Sequence, residues 1–93
     1  MKTKETMTKR YDGKRWYYYY GNELYRSSKN EYKYACIAIT DEDVAKAHGT
    51  SCSTYGSEMV ASLGNDYENT RKSMAVRYRE YCRLEVIKIE PTN

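Results

Sequence analysis

Residues 16–20 read Trp-Tyr-Tyr-Tyr-Tyr, and no other stretch limits the fold of this chain so sharply. Consecutive bulky aromatics suit an extended strand, where each ring has room on a pleated surface. Side chains alternate along a strand. Trp16, Tyr18 and Tyr20 therefore share one face, and Tyr17 and Tyr19 share the other. Whatever sheet holds this strand carries rings on both sides. Gly21-Asn22 follows as a two-residue turn signal, with Gly first as type II′ turns prefer. Residues 23–26 then return as a second strand. Residues 32–39, Tyr-Lys-Tyr-Ala-Cys-Ile-Ala-Ile, read as a third. Both faces of that strand become apolar towards its end, which places it centrally.

The run belongs to a wider bias: twelve tyrosines and no phenylalanine in 93 residues. A chain this short builds one domain with one small core. Leu, Ile and Val are scarce, as in disordered chains, yet disordered chains are also poor in aromatics. The reading is a folded domain with tyrosine as part of its core. One such core cannot enclose twelve phenols, so some must face outward. Tyrosine pairs an apolar body with a polar tip. It suits a surface that is wet in one state and dry in another, whereas Phe suits only the dry one.

Further along, Thr40 with Asp43 reads as a capping box opening a short helix that Gly49 ends. Residues 58–64, Glu-Met-Val-Ala-Ser-Leu-Gly, read equally as a helical turn or a strand. The main helix is expected from Asp66 to about Cys82, capped by Asn65, with Glu68 at the capping-box position. Tyr67, Thr70, Met74, Tyr78 and Tyr81 recur at spacings of three and four and form one face. Residues 83–90 read as a closing strand before Pro91. The expected class is α+β: a small antiparallel or mixed sheet of about four strands, with one main helix packed on one face. Residues 1–13, rich in Lys and Thr and without periodicity, read as a flexible basic arm. Residues 14–93 read as the single domain.

The net charge of +3 hides segregation. Residues 1–15 hold six Lys/Arg against two acids, residues 40–66 one against five, and residues 67–83 five against two. That pattern favours a partner with charged patches of its own, or a nucleic acid met on one side. No apolar run approaches the roughly 18 residues of a membrane helix. The first residues carry no secretory signal, so the three cysteines are expected as reduced thiols in a cytoplasm.

Three stretches carry side chains of the kinds that do chemistry. His48 and Cys52 stand four apart, but Gly49 and Thr50 break the helix that would align them, and tetrahedral zinc needs further ligands. The acids of Asp41-Glu42-Asp43 are consecutive and diverge, which suits a helix N-terminus better than a metal. The serines and lysines of residues 21–31 lack phosphate-loop spacing. The expectation is no enzyme, no metal and no cofactor.

Residues 21–38, GNELYRSSKNEYKYACIA, resemble a pattern found in small phage and mobile-element proteins: a hairpin turn, then Arg-x-Ser, then Tyr-x-x-Ala in a strand. Arg26, Ser28, Tyr32 and Ala35 carry the likeness. The resemblance implies an anti-defence protein of the anti-CRISPR type, which occupies a host protein or ribonucleoprotein complex in the bacterial cytoplasm. The partner-binding residues expected are Trp16, Tyr18, Tyr20, Arg26, Tyr32 and Tyr34, with Arg77 and Arg79 as steering charges. A nucleic-acid-binding accessory protein using the arm and the phenol face is the alternative. A homodimer that buries the rings at a two-fold axis is a third reading.

Overall fold

In the computed structural model, which describes residues 3–51, 54–70 and 80–92, six strands form one mixed sheet. They are β1 (Met7–Tyr11), β2 (Trp16–Tyr20), β3 (Glu23–Ser28), β4 (Tyr34–Thr40), β5 (Glu58–Gly64) and β6 (Cys82–Pro91), with α1 (Glu42–Ala47) between β4 and β5. The spatial order is β3-β2-β1-β6-β4-β5. β1 and β6 run parallel, and every other neighbouring pair runs antiparallel.

The sheet curls until it is nearly a barrel. The Tyr20 hydroxyl on β2 donates to the Glu58 carboxylate at the start of β5. Three strands separate β2 from β5 in the sheet order, so only strong curvature brings these groups together. Each edge strand carries a device that bends it. Register shifts leave one extra residue in β3, between Leu24 and Arg26, and one in β5, between Val60 and Ser62. Such bulges raise local twist and turn the strand.

The interior collects Met7, Tyr18, Ala35, Ile37, Ile39 and Ile89, with Trp16, Tyr20, Val60, Leu63 and Ile87 packed around them. Among the described residues, Tyr18 is the largest side chain wholly removed from solvent. Its hydroxyl donates to the Asn30 carbonyl at 2.7 Å and accepts from the Tyr32 N–H at 2.8 Å. Lys9, which is 5% exposed, approaches the same loop from β1. Its ammonium meets Glu31 at 2.8 Å and the Tyr32 carbonyl at 3.1 Å, and lies 5.3 Å from the Trp16 ring centre. These two side chains pin residues 30–32 over the end of the barrel.

β4 is buried along both faces from Ala35 to Thr40, between β6 and β5, as its composition requires. The Gly21-Asn22 turn joins β2 to β3 with Gly21 at φ 62° and no positive φ at Asn22, the sign pattern of a II′ turn. Gly49 ends α1 at φ 67°. The cap of α1 falls one residue later than Thr40: Asp41 accepts from the Asp43 and Val44 N–H groups.

The expected four-strand α+β fold is corrected. Among the described residues, 51% are strand and 13% are helix, in two short pieces. Two strands lie beyond the four expected: β1, and β5, whose residues read equally as a helical turn or a strand. β1 occupies residues expected to be a loose arm and lies between β2 and β6 at the middle of the sheet. Lys9 hid it, because an inward lysine reads as a solvated one; its stem packs while its charge is met by Glu31. β5 has no decisive local preference, and its antiparallel pairing with β4 settles it.

Of the expected main helix, residues 67–70 are helical, while Tyr81 lies in a turn and Cys82 opens β6. Residues 71–79 lie outside the described residues. The cap is Asp66, whose carboxylate accepts from the Asn69 N–H at 2.9 Å. Asn65 instead accepts from the Lys33 N–H. A Cβ at Gly64 would fall on the Thr70 hydroxyl, so this helical turn sits directly on the end of β5.

Candidate functional site

The curled sheet leaves one seam, between its edge strands β3 and β5. Glu23, Leu24 and Tyr25 on one side and Glu58, Met59 and Val60 on the other line a cleft of about 280 Å³, with Tyr20 at its base. A second cleft of about 430 Å³ continues past Tyr20 and Glu58 to Tyr55, Lys4 and Glu5. Six large hydrophobic side chains are exposed among the described residues: Tyr11, Leu24, Tyr25, Tyr55, Met59 and Tyr67. Leu24, Tyr25, Tyr55 and Met59 all border this seam. Scattered exposed apolar residues are ordinary; a row of them along one sheet opening is not, and marks a docking site.

Local structure explains why these side chains stay outside. Leu24 pairs with Tyr19, on the side of β2 opposite Tyr18 and Tyr20, so it turns away from the core. Tyr25 is the extra residue of the β3 bulge, with no partner on β2. Met59 pairs with Ala38, whereas its neighbours Glu58 and Val60 pair with the core residues Ile39 and Ile37.

Glu58 organises the middle of the seam. Its carboxylate accepts from the Lys4 backbone N–H through both oxygens, at 3.0 and 2.8 Å, and from the Tyr20 hydroxyl. The Lys4 ammonium donates to the Gly56 carbonyl at 3.2 Å. Residues 3–6 are thereby strapped across one end of the seam, and the Gly21 N–H closes the strap by donating to the Thr6 carbonyl at 2.9 Å. Replacing Glu58 by Ala removes all three acceptor contacts. Hydrogen bonds to charged groups contribute about 1.5–3 kcal/mol when shielded, and less at this solvent-exposed strap. Tryptic cleavage after Lys4 is expected to accelerate about tenfold in Glu58→Ala, the equivalent of about 1.4 kcal/mol, and clearly less in Glu58→Gln, which keeps one acceptor oxygen. Equal cleavage rates in all three proteins would remove Glu58 from this role.

Burial, reinforced by the Glu58 carboxylate, raises the Tyr20 phenol above its ordinary value, and burial raises that of Tyr18. Both phenols are therefore held neutral by the fold. Their contribution to stability is complete below about pH 10, the ordinary phenol value, and is lost as pH climbs through the raised folded values. Alkaline titration followed by tyrosinate absorbance is expected to show two phases, the later one coinciding with unfolding. Tyr20→Phe is expected to shrink that later phase. A single phase complete before any unfolding would contradict the shielding of these two hydroxyls.

The residues expected to bind a partner separate sharply. Trp16, Tyr18 and Tyr20 point into the barrel, so the inner face was the one expected to dock. Tyr18 is corrected outright: it is fully buried and bonded at both ends of its hydroxyl. Trp16 is half-buried against Tyr11, at 4.9 Å between ring centres, and beside Lys9. Tyr20 alone of the three reaches the seam. Arg26 is exposed on β3, next to Tyr25. Tyr32 is half-buried against Tyr18 at 5.8 Å, and Tyr34 meets Tyr67 edge-on at 5.9 Å on another part of the surface. Arg77 and Arg79 lie outside the described residues. Leu24, Tyr25, Tyr55, Glu58 and Met59 were not singled out from the sequence.

A third cleft, of about 400 Å³, lies between Arg10 and Tyr11 of β1 and Tyr17 and Tyr19 of β2. Asp12 closes it, accepting from the Tyr17 hydroxyl at 3.0 Å and from the Lys14 and Arg15 N–H groups at 2.8 Å. Among the described residues no group of His, Cys, Asp and Glu is arranged to hold a metal, and no helix is long and apolar enough to cross a membrane. No protein-family model, curated protein or solved structure matches this chain.

Proposed function

We propose that this chain is a non-catalytic binding protein that docks a protein surface along the seam between β3 and β5. In the setting implied by residues 21–38, it is a phage-type inhibitor acting in the bacterial cytoplasm, and it blocks a defence complex by occupying it. The observation that carries the docking reading is the concentration of exposed apolar side chains along that opening. Interfaces are enriched in Tyr, Trp, Met and Arg at their centres, and Tyr20, Tyr25, Tyr55, Met59 and the adjacent Arg26 supply three of these four types.

Nucleic acid suits the seam poorly. Its two clefts carry Glu5, Glu23 and Glu58 against Lys4 alone, and phosphate binding needs the opposite balance. The third cleft holds Arg10 among its rings but also Asp12. Titration with single- and double-stranded oligonucleotides at low salt is therefore expected to show no binding.

The inhibitor reading is tested by expressing the chain in bacteria that carry a functional CRISPR–Cas system and plating a targeted phage. Restored plaque formation supports it. Undiminished immunity across representative systems of each type overturns the defence setting.

A further inference from the structure

We infer that the seam receives one extended polypeptide segment, rich in alternating apolar and basic residues, which adds as a strand between β3 and β5. This rests on the docking reading above and specifies what docks. β3 and β5 are the two ends of the sheet, so among the described residues each has one hydrogen-bonding side without a strand neighbour, and both border the same cleft. The pairing pattern fixes their relative direction. β3 is antiparallel to β2, which is antiparallel to β1; β5 is antiparallel to β4, which is antiparallel to β6; and β1 is parallel to β6. β3 and β5 therefore run the same way. A single incoming strand antiparallel to both offers N–H and C=O groups to each side, the better-bonded of the two pairing modes. A helix has no backbone groups to spare for this.

Charge selects the sequence of the segment. Glu23 and Glu58 are the charged side chains lining that cleft, beside Leu24, Met59 and Val60. An alternating strand presents apolar residues to Leu24 and Met59 on one face and Lys or Arg to Glu23 and Glu58 on the other. At the end of the seam Glu58 already accepts a backbone N–H, that of Lys4, whose ammonium donates to the Gly56 carbonyl. Each bulge divides its strand, and the stretches that line this cleft are residues 23–25 of β3 and 58–60 of β5, so the recognised segment is short.

The probe is a capped heptapeptide alternating Lys and Val, titrated into the full chain while backbone amide resonances and their hydrogen exchange are followed. Two controls accompany it: a Glu/Val peptide of the same pattern, and the Lys/Val peptide methylated on alternate backbone nitrogens. The Lys/Val peptide is expected to shift the amides of residues 23–25 and 58–60 and to slow their exchange. Both controls are expected to bind at least about tenfold more weakly. Strand addition is overturned by no shift at millimolar peptide, by shifts confined to other strands, or by equal binding of the methylated peptide. The two readings fail separately. Absent peptide binding, with partner docking still sensitive to Leu24, would leave a seam that docks a folded surface. Peptide binding at residues 23–25 and 58–60, with partner docking indifferent to Leu24, would overturn the docking proposal instead.

Discussion

Tyr18→Ala is expected to leave most of the chain unfolded at room temperature, and Tyr18→Phe to remain folded but measurably weaker. Tyr18 is the largest fully buried side chain among the described residues, in the cluster that joins β1, β2, β4 and β6. Deleting a buried aromatic side chain costs about 3–5 kcal/mol. Tyr18 also satisfies two backbone groups of the loop above it, the Asn30 carbonyl and the Tyr32 N–H, each costing about 1–3 kcal/mol when stranded. The sum rivals the whole stability of a small domain, about 5–15 kcal/mol. Phe keeps the ring and loses only the two hydrogen bonds, so its cost is about 2 kcal/mol or somewhat more. Urea unfolding followed by circular dichroism, with Tyr17→Phe as an outward-facing comparison, separates these cases. A Tyr18→Phe midpoint equal to that of the unsubstituted protein would mean the hydroxyl is not buried as described.

The second large effect is expected at Leu24. It is 55% exposed, so Leu24→Arg should leave the unfolding midpoint nearly unchanged. At the centre of a dry interface the same substitution strands a charge and removes an apolar contact. A loss of affinity of about a hundredfold or more follows, about 3 kcal/mol, and with it the loss of plaque rescue. Met59→Arg, across the cleft, is expected to act in the same direction. Arg substitution at Thr8, on the outward face of β1, supplies the comparison, because it adds the same charge away from the seam. If Leu24→Arg and Met59→Arg both retain full rescue, the seam is not the docking surface.

How much of this was legible from the residues follows from how local the signals are. The β2–β3 hairpin was, because Trp16–Tyr20 and Gly21-Asn22 each specify their own conformation. So was the burial of β4, because Ala35–Ile39 is apolar on both faces. β1 was not. Its only inward clues are Met7 and Lys9, and the charge of Lys9 is met by Glu31, twenty-two residues away. The Asp12-Gly13 pair, which turns the chain with Gly13 at φ 96°, was the available sign that a hairpin begins earlier than Trp16. The surplus of phenols was also legible. Of the eleven described tyrosines only Tyr18 is buried, and Tyr11, Tyr25, Tyr55 and Tyr67 are exposed. Which rings face outward was not legible. The alternation in β2 gives two equivalent faces until β1, β4 and β6 choose between them, and the seam arises only when the whole sheet curls.

The parallel joint of β1 with β6 carries a temporal consequence. Met7 sits beside Ile89, and the Thr92 N–H bonds the Lys9 carbonyl, from positions 83 residues apart. A ribosome therefore releases the first strand long before its lasting neighbour exists. Until then the β1–β3 meander shows a raw flank, with Met7 and Tyr18 awaiting cover, to every other chain in the cell. Nascent copies are most vulnerable to mispairing in that interval, and its duration is set by translation speed rather than by the collapse of the chain itself.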